Sequence, residues 1–151
     1  MEGHAKYVIK RESIILSDTI WCNYSQSLLV TQMRTQDLTN AANFANLSLR
    51  DAFSLNMWVG TTFDVVMFFL HEFPWERLET LREKVPDVPF QMLLRRANDV
   101  GYTNYPGNVV HKVCIKSSKS GVDVLHVVNS FNYTKNLKLD IDAVSSTGWF
   151  V

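Results

Sequence analysis

The stretch FQMLLRRANDVGYTNYPGN, Phe90–Asn108, decides the reading of this chain. Phe90, Met92, Leu93 and Leu94 make an apolar run that follows a Pro-Asp-Val-Pro loop. The run turns polar at Arg95. A buried parallel strand looks like this when it delivers a charged side chain at its C-terminal end. Ligands of α/β barrels and open α/β sheets sit at that end. Arg95 is therefore the first candidate for gripping an anion.

Working outward, the chain alternates strands and helices. Ser13–Ser17 reads as a short buried strand that ends at Asp18-Thr19, and Leu28 to Thr31 starts the return path. Thr35–Asn46 reads as a helix with Leu38, Ala41, Ala42 and Ala45 on one side. Phe53–Trp58 reads as a second strand ended by Gly60. Thr61 or Thr62 is a candidate cap for a helix through Val65–Leu70, with Asp64 in its first turn. Pro74 suits the first position of a further helix. Trp75, Leu78, Leu81 and Val85 mark that helix's buried face, and Glu79 and Arg82 are placed to pair on its surface.

After the central strand, the loop Arg95–Pro106 is long for such a connection. Asn108 is a candidate cap for a helix with apolar positions Val109, Val110, Val113 and Cys114, ended by Gly121. Val122–Val128 is the fourth strand, with Asn129 at its end. Leu137, Leu139 and Ile141 belong to a last helical stretch, and Gly148–Val151 resembles the start of another strand. Four βα units in series predict a parallel sheet with helices outside. A full eight-unit barrel needs about 250 residues, and this chain has 151. The expected fold is thus α/β, a partial (β/α)8 barrel. Its domain spans residues 13–151, after a poorly ordered segment at 1–12.

Composition narrows the partners. Lys plus Arg is 15 and Asp plus Glu is 15. That balance gives no electrostatic footprint for nucleic acid or an anionic membrane. The longest apolar run, Val65–Leu70, is too short to span a bilayer. Cys22 and Cys114 form no CxxC and read as reduced thiols. The first twenty residues do not form a transit or signal peptide.

The stretch LLRRANDVGYTNYPGN closely resembles the carboxyltransferase domain of pyruvate carboxylase. Matches in the same order run through Asp18-Thr19, Gln26-Ser27-Leu28-Leu29, Arg34-Thr35, Phe63-Asp64-Val65, Phe69-Leu70-His71-Glu72, Pro74-Trp75-Glu76-Arg77-Leu78 and Asn132-Tyr133. The resemblance covers nearly everything from Ser13 onward. It implies a barrel that moves a carboxyl group from carboxybiotin to pyruvate, giving oxaloacetate. The implied cofactors are biotin and a divalent metal (Mn, Zn or Mg), the metal held by an Asp, a carbamylated Lys and two His. The implied location is the mitochondrial matrix in a eukaryote and the cytoplasm otherwise.

By position, Arg95 matches the arginine that binds the pyruvate carboxylate, a task suited to the two parallel hydrogen bonds of a guanidinium. Gln26, Asp64 and Tyr102 match polar residues lining that site. From spacing alone, Tyr102 would be a rim aromatic, Asp64 a helix-start charge and Gln26 a solvated loop residue. The resemblance reverses that for Arg95 and Gln26.

The departures fall on the chemistry. Where the family has Arg-Asp-x-His-Gln, this chain reads Cys22-Asn23-Tyr24-Ser25-Gln26. Asn23 stands at the metal-ligating aspartate and brings no negative charge. Cys22 removes a cation, Arg96 replaces a glycine, Asn129 an aspartate and His126 an arginine. His4, His71, His111 and His126 show no metal-ligand spacing. The carbamylated lysine, the histidine pair and the proton-shuttling threonine of the family belong to strands after the fourth. The expectation is a chain that has lost independent catalysis, binds pyruvate weakly if at all, and holds neither biotin nor metal. A second expectation is an interaction module docking on itself or on full-length pyruvate carboxylase, because a half barrel leaves two strand edges unpaired. A catalytic half-barrel dimer ranks last, since two copies still lack a complete metal set.

Overall fold

Phe90–Leu94 forms a strand with the bounds its apolar run predicts. It lies in the middle of a four-stranded parallel sheet of order β1-β2-β3-β4. The structure, a computed structural model, describes residues 8, 10, 12–23, 33–94, 105–128, 141, 142, 144 and 145. Along it run β1 (Ser17–Asp18), α1 (Ile20–Asn23), α2 (Thr35–Ser48), β2 (Ser54–Trp58), α3 (Gly60–Asp64), a π-helical turn (Val65–Phe69), α4 (Pro74–Lys84), β3 (Phe90–Leu94), α5 (Gly107–Lys119) and β4 (Val124–Val127). Residues 141, 142, 144 and 145 are helical. Leu137, Leu139 and Gly148–Val151 lie outside the described residues.

The period of two along β3 divides the sheet into two unlike faces. Phe90, Met92 and Leu94 are buried in one apolar cluster with Leu38, Ala42 and Ala45 of α2, Leu78 and Leu81 of α4, and Val110, Val113 and Cys114 of α5. Gln91 and Leu93 point to the other face and are only half-buried. There the Ser54 hydroxyl donates to Gln91 Oε1 at 2.7 Å and stands 2.8 Å from the Ser17 hydroxyl. One hydroxyl group from each of the first two strands and the amide of the third thus form a polar ladder.

A bulge in β2 decides where its aromatic goes. Asn56 pairs with Gln91, but Trp58 pairs with Met92, so Met57 is the extra residue. The bulge turns Trp58 to the helix side, which strict alternation from Asn56 would deny it. There Trp58 stacks on Trp75 of α4, with ring centroids 6.0 Å apart and planes at 11°, and meets Phe63 at 6.5 Å.

Several boundaries and contacts differ from the sequence expectation. The first strand is not Ser13–Ser17: only Ser17 and Asp18 register with β2, opposite Ser54 and Leu55. Leu16 gives its carbonyl to Phe53 N–H at 2.8 Å. Ile14 and Leu16 stay 90% and 72% exposed, so the apolar stretch before β1 is not the buried strand expected of it. α2 extends to Ser48, and Ala41 faces outward while Leu38, Ala42 and Ala45 are buried. Gly60 begins α3 rather than closing the strand. Thr62 caps from inside the helix: its Oγ1 accepts from Val59 N–H at 3.2 Å, one half of a capping box, while its own N–H donates to Val59 O at 2.8 Å. α5 starts at Gly107 with Pro106 as N-cap, so Asn108 sits inside the helix. β4 is Val124–Val127, shorter than Val122–Val128.

Glu79 and Arg82 do not pair with each other. Lys116 Nζ donates to Glu79 at 3.0 Å, and Arg82 Nη1 meets Asp123 at 2.9 Å. Glu79 is already held by Lys116 and Ser120, and Arg82 by Asp123 and the Val88 carbonyl, so neither is left to the other.

Candidate functional site

The chain segments leaving the C-terminal ends of the strands carry the candidate residues. After β1, Asp18 turns the chain: its Oδ1 accepts from Ile20 N–H at 2.9 Å and starts α1. Within that single turn Trp21 and Cys22 point inward and are buried, and Asn23 points outward. Asn23 Nδ2 donates to Thr19 Oγ1 at 3.2 Å, and its backbone N–H donates to Thr19 O at 3.0 Å. The amide is tied into the local turn and brings no charge. Cys22 is a buried thiol outside any disulfide, as is Cys114. Tyr24, Ser25 and Gln26 lie outside the described residues.

After β2 comes Asp64. It is not a first-turn charge: it is the last residue of α3, and it is 3% exposed. A carboxyl group buried to that degree is unusual for a helix end. The π-helical turn begins at the next residue. Leu70 N–H donates to Val65 O at 3.1 Å and Glu72 N–H to Val66 O at 3.0 Å. The wide turn ends at His71, whose φ of 54° is left-handed. π-helical turns occur mostly as insertions in α-helices, often near functional sites.

Glu72 anchors this segment from behind. Its carboxylate accepts from Thr35 N–H at 3.0 Å and from Thr35 Oγ1 at 2.5 Å, at the first turn of α2. It also lies 3.9 Å from Arg77 Nη1, and the Arg77 side chain is 3% exposed. Burial pulls the Arg77 guanidinium below its ordinary pKa, while Glu72 and Asp37 oppose the shift. The sequence places Arg77 as an ordinary residue of α4; nothing in its spacing shows that it is buried.

β3 ends at Leu94, so the strand delivers the chain to Arg95 as the apolar run predicts. Arg95, Arg96 and Tyr102 themselves lie outside the described residues, as does Asn129 after β4. His126 is described and exposed on β4, and His71 is exposed. Of the sequence candidates, then, the structure describes Cys22, Asn23 and Asp64, and α1 packs on β2, the strand that leads to Asp64.

A metal is implied by the resemblance, and the described residues can be tested against it. Among them no three His, Cys, Asp or Glu side chains are grouped to hold an ion. The position that the resemblance assigns to the acidic ligand carries the neutral, turn-bound amide of Asn23. The described residues do not fit a divalent cation.

The sheet's inner face holds features that the sequence reading missed. A cavity of about 630 Å³ opens there, lined by Ile15, Ser17, Asn56, Gln91, Leu93 and His126 among others. Asn56 is 6% exposed, yet its Oδ1 has no hydrogen-bond partner among the described residues. A lone Asn within the otherwise apolar LNMW of β2 was the available signal.

No family model matches the chain. Relatives do. The chain is 47% identical to the mitochondrial pyruvate carboxylase of Rattus norvegicus over 150 residues, 99% of this chain and 13% of that protein. It is 47% identical to the pyruvate carboxylase of Staphylococcus aureus over 147 residues, 97% of this chain and 13% of that protein. Among solved structures, the carboxyl transferase domain from Rhizobium etli pyruvate carboxylase with pyruvate superposes with a TM-score of 0.87 at 41% identity, covering 95% of this chain and 24% of that one. The same domain with pyruvate and biocytin gives 0.86 at 42% identity, covering 94% and 24%. The chain therefore spans about an eighth of the length of the relatives it matches and about a quarter of the solved domain.

Proposed function

Starting from a chain that is, over the segment it spans, a relative of the pyruvate carboxylases and shares the fold of their carboxyltransferase domain, we propose that it keeps a place for the pyruvate carboxylate and does not by itself transfer a carboxyl group. Residues 13–151 are taken as the partial carboxyltransferase domain. Arg95 is the carboxylate clamp, with Gln26, Tyr102 and Asp64 lining the same site. Biotin is the carrier with which the solved relative domain works, and the chain's own residues would present pyruvate to it.

The observation that carries this reading is Asn23. At the position of the acidic metal ligand the chain has a neutral amide, hydrogen-bonded to Thr19 within its own turn. Cys22 stands beside it in place of a cation, its thiol buried rather than offered to solvent. Without a bound cation the enolate of pyruvate lacks its Lewis acid. Pyruvate binding is accordingly weak, and oxaloacetate does not form. In a eukaryote the chain would work in the mitochondrial matrix, like its mammalian relatives, and otherwise in the cytoplasm.

Titration with pyruvate, followed by NMR, tests the first half; saturable shifts that vanish in Arg95→Ala support it. Incubation with pyruvate, carboxybiotin and Mn²⁺ tests the second. Oxaloacetate formed by this chain unaided would overturn the reading.

A second reading is that the chain is a non-catalytic module associating with itself or with full-length pyruvate carboxylase. The open inner face of the sheet and the exposed Ile14 and Leu16 favour it.

A further inference from the structure

We propose that Glu72 is a positioning residue: by holding the π-helical turn that follows Asp64, it keeps the Asp64 side chain turned inward beyond the C-terminal end of β2. This rests on the reading that Asp64 lines the pyruvate site, and it names what controls that side chain.

Asp64, Val65 and Val66 follow one another in the chain, and all three are buried. An α-helix turns each residue by about 100° from the last. Three in a row then spread over about 200°, wider than the face that such a helix buries. A π-helical turn is wider, so successive side chains lie closer in angle. The turn at Val65–Phe69 thus lets Asp64 share the interior with the two valines after it. Asp is a poor helix former, and burying a carboxyl group is costly. The placement therefore needs support from outside the turn.

Glu72 supplies it with both its backbone and its side chain. Its N–H donates to Val66 O at 3.0 Å, and Leu70 N–H donates to Val65 O at 3.1 Å. These wide-spaced bonds close on the two residues after Asp64. His71, between the two donors, is left-handed with φ of 54°, a conformation that a Cβ disfavours. The Glu72 carboxylate then accepts from Thr35 N–H at 3.0 Å and from Thr35 Oγ1 at 2.5 Å. Thr35 begins α2, which joins the core through Leu38, Ala42 and Ala45. Arg77 faces the same carboxylate at 3.9 Å.

The segment before Asp64 has its own anchor. Phe63 meets Trp75 edge-on at 5.6 Å, and Trp75 stacks on Trp58 at the end of β2. Between these two anchors the spacing of the turn decides where Asp64 points. Without the carboxylate contact, His71 is free to leave its left-handed conformation and the turn to close to α-helical spacing. Asp64, Val65 and Val66 then no longer fit one face, and the polar member is the one that turns toward water.

Carboxyl ¹³C NMR of this chain, with the Asp64 signal assigned through Asp64→Asn, reads that change without any ligand. Amide exchange at Leu70 reports whether the π-helical turn opens. Glu72→Ala should shift the Asp64 signal, speed Leu70 exchange at least about tenfold and weaken pyruvate binding at least about threefold. Thr35→Val keeps every charge in place and should move all three in the same direction by less. Gly121→Ala, remote from the turn, should lower Tm and leave the Asp64 signal where it is, which separates positioning from general loss of stability. If Glu72→Ala does not fold, Thr35→Val decides. An Asp64 signal that stays in place while Leu70 exchange speeds would overturn the positioning role and leave Glu72 as a cap of α2. A signal moved as far by Gly121→Ala would overturn it too. Absence of pyruvate shifts in the unaltered chain would overturn the pyruvate reading alone, and the Asp64 signal would still decide the role of Glu72.

Discussion

Glu72 reaches back 37 residues to Thr35, accepting from its backbone N–H and its hydroxyl. A carboxylate just past a π-helical turn thereby caps the N-terminus of α2, where the first N–H groups lack helical partners. The same carboxylate faces buried Arg77. One side chain therefore fixes the start of α2, the end of the segment that follows Asp64, and the charge balance inside α4.

Removing that carboxylate should cost more than a surface ion pair does. Glu72→Ala strips the cap and leaves the Arg77 guanidinium buried without its nearest anion. Because Glu72 is itself partly exposed, the expected loss is about 2 kcal/mol, below the range for a fully buried pair. Urea denaturation measures it. Arg77→Met in the Glu72→Ala background should recover part of the loss. A loss no larger than that of an exposed pair would show that water, not Glu72, balances Arg77.

Gly121 closes α5 with φ of 110°, and a Cβ there would lie 2.6 Å from Cγ and Cδ of Arg82. Arg82 cannot easily yield. Its guanidinium donates to Val85 O, Val88 O and Asp123 and lies 4.1 Å above the Phe90 ring. Gly121→Ala should therefore destabilise by about 1–3 kcal/mol through backbone strain and displacement of Arg82. Thermal unfolding checks it. The effect should shrink in an Arg82→Ala background, where the side-chain clash is gone and the backbone cost remains.

Glu79 links stability to pH. Hydrogen bonds from Ser120 and then Lys116 hold its carboxyl below the ordinary value of 4.5. A folded-state pKa below the unfolded one stabilises the fold above the unfolded value, and that contribution fades as pH falls through the folded value. Glu79→Gln should flatten the acid limb of the stability curve below about pH 4.5 and leave the limb above neutrality unchanged. Chemical denaturation at a series of pH values reads this directly. An unaltered acid limb would mean that the exposed pair is screened by solvent.

Restoring a carboxylate at the first strand's end should not by itself build a metal site. Asn23→Asp adds one charged oxygen ligand, but no further His, Cys, Asp or Glu side chains are grouped with it among the described residues, and one carboxylate holds a hard cation weakly. Isothermal titration calorimetry with Mn²⁺ gives the comparison. Tight one-to-one binding by the variant would show that other ligands stand within reach of residue 23.

Pyruvate binding should depend on Arg95 more than on any other candidate. Arg95→Lys keeps the charge and loses the paired hydrogen bonds, so it should weaken binding by about tenfold, and Arg95→Ala should abolish it. NMR line shifts of labelled pyruvate measure both. Equal binding in all three proteins would place the carboxylate elsewhere.

The periodic and terminal signals of this chain were readable without coordinates. β3 has the bounds that its apolar run announces, α4 starts at Pro74, and Gly121 follows α5, because each depends on local backbone chemistry. The parallel order follows from alternating strands and helices. The relation to pyruvate carboxylase was legible in the motif around Arg95, because it rests on residue identity alone.

Tertiary structure decided what depends on partners distant in the chain. The bulge at Met57 sends Trp58 to Trp75, and only the register against β3 reveals it. Asp64 became a buried side chain rather than a helix-start charge once the π-helical turn set its place. Arg82 pairs with Asp123 and Glu79 with Lys116 and Ser120, because folding brings the start of β4 and the end of α5 against α4. Asn56 looked like one polar residue in an apolar strand. Its unmet acceptor emerged only when the sheet assigned it to the face opposite the helices, since hydrogen-bond demand is a property of surroundings and not of residue type.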